Sequence, residues 1–169
     1  MRDVRIYPAW IALVCGLLVA LSGCSMTHAP QRPERSSKQV YAELNAIPGV
    51  ESAQLNGGSS GMPGRDQIGA AIGFKPDSGL DVSVLLDYVL AELWSQTSVH
   101  PTTVVTVSMQ KGNDIVDLAA AATTLGLTNV GTHSLTVSAS DMAKRYGDWP
   151  GPVPELPDAI ARPTAAPTP

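Results

Sequence analysis

The sequence has little of what several familiar kinds of protein are built from. Among 169 residues there is a single Phe, and Phe, Trp and Tyr together make up 5% of the chain. A core must therefore come from small aliphatic side chains. Cys15 and Cys24 are the only cysteines, too few for a disulfide scaffold. Lys and Arg number 11 against 15 Asp and Glu, a formal charge of −4. That balance excludes the basic surface that nucleic acid or anionic headgroups require. Long apolar runs are missing as well. The longest, Ala9 to Leu21, has 13 residues, roughly 20 Å as a helix against a hydrocarbon core of ~30 Å.

What is present begins at the N-terminus. Arg2 and Arg5 precede the apolar run, the order of a basic n-region and an apolar h-region in a secretory signal. The run ends in Leu21-Ser22-Gly23-Cys24. This resembles the lipobox of bacterial lipoproteins, with Leu at −3, small residues at −2 and −1, and Cys at +1. The resemblance implies recognition of Leu21, Ser22 and Gly23 by the signal peptidase and cleavage before Cys24. It also implies a diacylglyceryl group on the Cys24 thiol and an anchor on the extracytoplasmic face of the cell membrane. One acyl chain holds a protein only reversibly, and at least two are needed for stable anchoring. Cleavage would leave Cys24 as the only cysteine, and nine basic and fourteen acidic residues, a charge of −5.

Four segments follow: a signal peptide over 1–23, a lipidated cysteine and polar, Pro-broken tether over 24–35, one domain over 36–149, and a Pro-rich tail over 150–169. Seven of the fourteen prolines lie in that tail, which is expected to run extended and to fray after Leu156. Within the domain, Ser36 and Gln39 have capping-box spacing before a helix with Val40, Tyr41, Leu44 and Ile47 on one face. Pro48-Gly49 stops it. Val50–Leu55 and Ile68–Phe74 alternate as strands. Asp77 or Ser78 is expected to cap a helix that buries Val82, Leu85, Leu86, Val89 and Leu93, and turns Asp81, Ser83, Asp87 and Glu92 outward. Thr102–Met109 is β-branched and strand-like. Asn113-Asp114 is expected to open a helix bearing Ile115, Leu118, Ala119, Ala122 and Leu125. His133–Ser138 reads as a strand, and Ser140–Tyr146 as a last helix stopped by Gly147. The order is α-β-β-α-β-α-β-α. The fold class is α/β (α+β): a two-layer sandwich of about four strands, mixed or antiparallel, with helices on one face.

Leu44-Asn45-Ala46-Ile47-Pro48-Gly49-Val50, running into the alternating strand to Leu55, resembles the start of the ring-building motif of inner-ring lipoproteins in type III secretion systems. That motif's α-β-β-α-β order fits residues 36–109. The heavy-metal-associated and BON domains have a similar Gly-Val turn. The paired metal-binding cysteines of the former are not present here, nor are the second domain and C-terminal span usual in the secretion lipoproteins.

Residues that could carry chemistry are sparse. Gly57-Gly58-Ser59-Ser60-Gly61 matches Gly-x-Ser-x-Gly, but it falls in a loop leading to a strand rather than in a strand–turn–helix elbow. A hairpin loop is the favoured reading. The same loop lacks the Lys and the following helix of a phosphate cradle. His28, His100 and His133 have no metal-ligand spacing. Asp114 with Asp117, and Asp141 with Lys144, read as solvated helix faces. No catalytic residue, metal or cofactor is expected. Tyr146 and Trp149, inside Lys144–Pro154, either dock an envelope partner or staple the chain end onto the core, and the staple is favoured. The expected function is a non-enzymatic envelope lipoprotein, a module for protein interaction or self-association. The alternative is an accessory lipoprotein that binds a small ligand or solute, with the Gly-rich loop and His100 lining a pocket.

Overall fold

The computed structural model describes residues 34–127, 131 and 133–163, which fall within one compact unit starting at Glu34. Cys24, Leu21, Ser22, Gly23 and His28 lie outside the described residues.

Helix α1, Ser37–Asn45, starts at Ser36, whose side chain accepts from the Gln39 N–H while Gln39 Oε1 accepts from the Ser36 N–H at 2.7 Å. The expected capping box is formed. Val40, Leu44 and Ile47 are buried, but Tyr41 is 48% exposed. It lies one turn from Asn45 along the helix flank rather than on the inward face. Strands β1, Val50–Ser59, and β2, Asp66–Phe74, form an antiparallel hairpin. Gly57, Gly58 and Ser59 belong to the strand, so the loop is shorter than the sequence suggested, spanning 60–65.

Helix α2, Val82–Ser95, is capped by Asp81, whose Oδ1 accepts from Ser83 and Val84 N–H. Neither Asp77 nor Ser78 is the cap, because the chain turns at 76–79 first, with Gly79 at φ +65°. Glu92 does not face out: it is 0% exposed. Strand β3, Val104–Lys111, runs parallel to β2. The helix expected from Asn113 is absent. Lys111 pairs with Asp114 across a two-residue Gly112-Asn113 turn, giving the short strand β4, Asp114–Ile115. Gly112 has φ +61°, the backbone that such a hairpin turn demands. Only the second half of the expected segment is helical, as α3, Ala119–Thr124. Strand β5, Leu135–Ser138, also pairs with β3, and α4, Ala139–Tyr146, ends at Gly147 with φ +80°.

The tail departs most from expectation. It does not fray after Leu156: Asp158–Ala161 form a short helix, α5, that packs against α2 and buries Ile160 completely. Prolines outside a helix do not prevent a single turn between them, and Pro157 stands at its N-terminal boundary, where its missing N–H costs nothing.

The sheet is mixed and five-stranded, in the order β1-β2-β3 with β4 and β5 sharing the far side of β3. Ala53, Ile68, Ala70, Ile72, Phe74, Val105, Val107, Met109, Leu135 and Val137 alternate onto one face. There they meet Val40 and Leu44 of α1, the α2 leucines and Met142 of α4. The result is the expected two-layer α/β sandwich, with β4 and α5 added.

Candidate interaction surface

Because the helices cover one face, the alternate residues of every strand form the other. The register sets them in rows. Asn56, Gly69, Thr106 and Thr136 make one row; Gln54, Ala71 and Ser108 the next; Ser52, Gly73 and Gln110 a third. None of these ten positions carries an ionisable side chain. The glycines make a valley along β2, over which Asn56 and Ser52 lean: a Cβ on Gly69 would meet Asn56 Oδ1 at 2.7 Å, and one on Gly73 would meet Ser52 Oγ at 2.7 Å. At one end the valley deepens into a cavity of about 280 Å³ lined by Gln54, Ser108 and Gln110, with Ile115 and His133 at its rim. Its polar side chains are the amides of Gln54 and Gln110, the hydroxyls of Ser52 and Ser108 and the His133 imidazole, groups able to donate or accept.

Among the described residues the sheet has a second open feature, the outer edge of β1. Asn45 covers it at one point, accepting from the Ala53 N–H at 3.0 Å and donating to the Ala53 carbonyl at 3.5 Å. Those bonds show which backbone groups point away from β2. By the alternation of an antiparallel ladder, the N–H and C=O groups of Leu55, Gly57 and Ser59 point the same way. Below them, on the helix side, Ser37, Leu55, Gly57, Ile68 and Val99 line a notch of about 200 Å³.

The expected docking pair, Tyr146 and Trp149, is half-buried. Tyr146 donates to Asp87 Oδ1 at 2.6 Å, and Arg145 Nε donates to the same oxygen at 2.9 Å. Burial, then the bond to Asp87, raises the Tyr146 phenol above its usual range. Trp149 stacks on His100, with ring centroids 4.2 Å apart. Beside them Trp94 Nε1 donates to the Gly147 carbonyl at 2.8 Å, and Gly151 N–H donates back to the Trp94 carbonyl at 3.0 Å. Both aromatics thus tie the chain end to the domain. His100, Trp149 and Asp148 also line a shallow, open depression of about 460 Å³. No residue of the Gly-rich loop lines it, although the Gly64 carbonyl accepts from the hydroxyl of Thr102, one of the lining residues, at 2.8 Å.

Ser59 Oγ donates to the Met62 carbonyl inside its own turn, far from the strand–helix elbow that its motif would need. Asp141 accepts from Lys144 Nζ at 2.8 Å, and that bond, with one from Ser138, holds its carboxyl below the usual range. Asp114 sits in β4, so it does not share a helix with Asp117, whose Oδ1 accepts from the Ala119 N–H.

One buried polar cluster went unseen in the sequence. Arg35, assigned to the tether, is 5% exposed. Its guanidinium donates to Ser95 Oγ, to Glu43 and, at 2.5 Å, to Glu92 Oε2. Its backbone brackets Thr97, donating to Thr97 Oγ1 at 3.0 Å and accepting from Thr97 N–H at 2.7 Å. Burial raises the Glu92 carboxyl, against the pull of neighbouring Tyr88 and Arg35. Helical spacing could have revealed Glu92, which falls on the stripe of Leu85 and Val89.

Comparison with protein-family models, with curated proteins and with solved structures gives no match to this chain.

Proposed function

We propose that this chain is a non-enzymatic envelope lipoprotein, anchored through Cys24, whose α/β domain is a module for protein interaction or assembly. The observation that carries the proposal is the sheet face left bare by the helices, a field of amide, hydroxyl and glycine positions with no charge. Solvated sheet faces ordinarily mix charges of both signs, which keeps neighbouring chains apart. A neutral face has no such repulsion, and its amides and hydroxyls cost less to desolvate than charges would. Cross-linking and pull-down of the native protein from membranes in mild detergent should recover it with a protein partner or with itself. Recovery of monomer alone overturns the proposal.

One observation favours a second reading, a ligand-binding accessory lipoprotein: the 280 Å³ cavity on the same face. The amides and hydroxyls of Gln54, Ser108 and Gln110 that line it suit a polyhydroxylated molecule. Ligand-induced shifts at Gln54 and Ser108 in NMR titrations with neutral oligosaccharides would support it, and flat titrations would remove it.

A further inference from the structure

We infer that the occupant of the open β1 edge is a second copy of this chain, paired antiparallel through β1 about a two-fold axis at Asn56. The inference rests on the assembly reading and names its partner.

Natural sheets protect their edges with charges, prolines, bulges or covering segments. Among the described residues, strand β1 has such devices in its first half alone, where a register shift falls between Val50 and Ser52, Glu51 is charged, and Asn45 occupies Ala53. From Gln54 to Ser59 the sequence is Gln-Leu-Asn-Gly-Gly-Ser, with no charge and no proline. The unprotected half is where Leu55 and Gly57 present their backbone groups.

Parity restricts the registers open to two such edges. Residues whose N–H and C=O groups point outward must face each other, so odd positions pair with odd. A two-fold axis at Asn56 meets this condition. Leu55 then lies opposite Gly57 of the other copy, twice over, giving four backbone hydrogen bonds.

Side chains favour the same register. Leu55 and Gly57 both point to the helix side. The missing side chain at Gly57 opens the notch above Ile68 and Val99, where a Cβ would already touch Ile68 Cγ1 at 3.4 Å and Val99 Cγ2 at 3.5 Å. Pairing about Asn56 sets the partner's Leu55 beside that notch: each copy offers one knob and one hole. Where Asn45 crowds the edge at Ala53, the register brings the partner's Ser59, a small residue.

Helix α1 flanks this edge through Ser37, Tyr41 and Asn45, one turn apart. Ser37 lines the notch and Asn45 holds Ala53. Tyr41, between them, is left 48% exposed, apolar surface that an added strand would cover.

A few strand residues per copy make a small interface of the weak, transient class. Tethering to one membrane raises the effective concentration and is what makes such pairing effective.

The test uses the full-length chain in membranes, oxidised mildly, with the unsubstituted chain as control for Cys15 and Cys24. Residues at the axis form a non-hydrogen-bonded pair with Cα atoms about 4.5 Å apart, within disulfide range. Asn56→Cys should therefore give a reducible dimer. Gln54→Cys, on the same face but about 13 Å from its counterpart, should give at least ten-fold less. Adding Gly57→Lys to Asn56→Cys should abolish the dimer while the melting temperature is kept. Equal cross-linking at both positions, or none at Asn56→Cys, overturns the pairing. Should Gly57→Lys fail to fold, the comparison of Asn56→Cys with Gln54→Cys still decides. A different protein recovered by pull-down, with no cross-link at Asn56→Cys, would keep the assembly reading and remove this partner.

Discussion

Arg35 and Glu92 show how one residue pair can mark a boundary. Among the described residues Arg35 is the first that is buried, and its three side-chain partners come from α1 and α2. Removing one member of a buried ion pair leaves an uncompensated charge, which typically costs about 3–5 kcal/mol. Arg35→Met is expected to fall in that range, because Glu92 is 0% exposed. Glu92→Gln should cost far less, since the amide still accepts from Arg35 and Glu43 still balances the charge. Chemical denaturation of the two variants checks the asymmetry, and equal losses would contradict it. The pH dependence has a definite sign. The folded carboxyl titrates above its unfolded value, so its stabilising contribution is present below the unfolded pKa, about 4.3. That contribution is lost as pH rises through the folded value. Wild type should thus gain stability relative to Glu92→Gln as pH falls from 7 towards 4, measured by urea unfolding at both ends. A difference that does not change with pH would count against a raised Glu92.

At the scale of elements, the segments with strong local signals formed where the sequence placed them, and those with competing signals did not. The capping box at Ser36 and the alternation of Ile68, Ala70, Ile72 and Phe74 satisfy local chemistry and burial together. Asn113-Asp114 has two readings, since Gly112-Asn113 is also a two-residue hairpin turn; the free edge of β3 was there to be paired, and the turn won. The spacing of Glu92 places it on the buried stripe, while its charge alone argues for the surface. The partner that neutralises it lies 57 residues away, beyond any local pattern. The helical turn in the tail is hidden from the sequence for a related reason. Proline content describes what a segment cannot do alone, whereas α5 is held by the burial of Ile160. Ile160→Ala is expected to destabilise the domain by about 2–4 kcal/mol, read from the urea midpoint. A loss under 0.5 kcal/mol would show that the tail is not part of the cooperative unit.

For the whole molecule, the bare face and the open edge depend on register across three strands, and so were visible in the sequence only as alternating small and polar residues. The parallel pairing of β2 with β3, separated by α2, decides which of them become neighbours. The order of parts along the chain then gives the domain its mechanical setting. Arg35 fixes the start of the domain, only eleven residues beyond Cys24, a span of at most about 40 Å when fully extended. The described residues supply a core, running from Val40 to Ile160, and a polar latch at Arg35 and Glu92. Anchoring and folding should therefore separate experimentally. Cys24→Ala is expected to abolish acylation and leave one of two products, protein released from the membrane or protein retained with its leader uncleaved. Intact mass distinguishes them, because the retained product keeps residues 1–23. In either product the domain should melt within a degree or two of wild type, since the core described is built from Val40 to Ile160. An acylated protein of mature mass on the membrane of cells carrying Cys24→Ala would refute the anchor at this cysteine. A large drop in melting temperature would refute the independence of the domain from it.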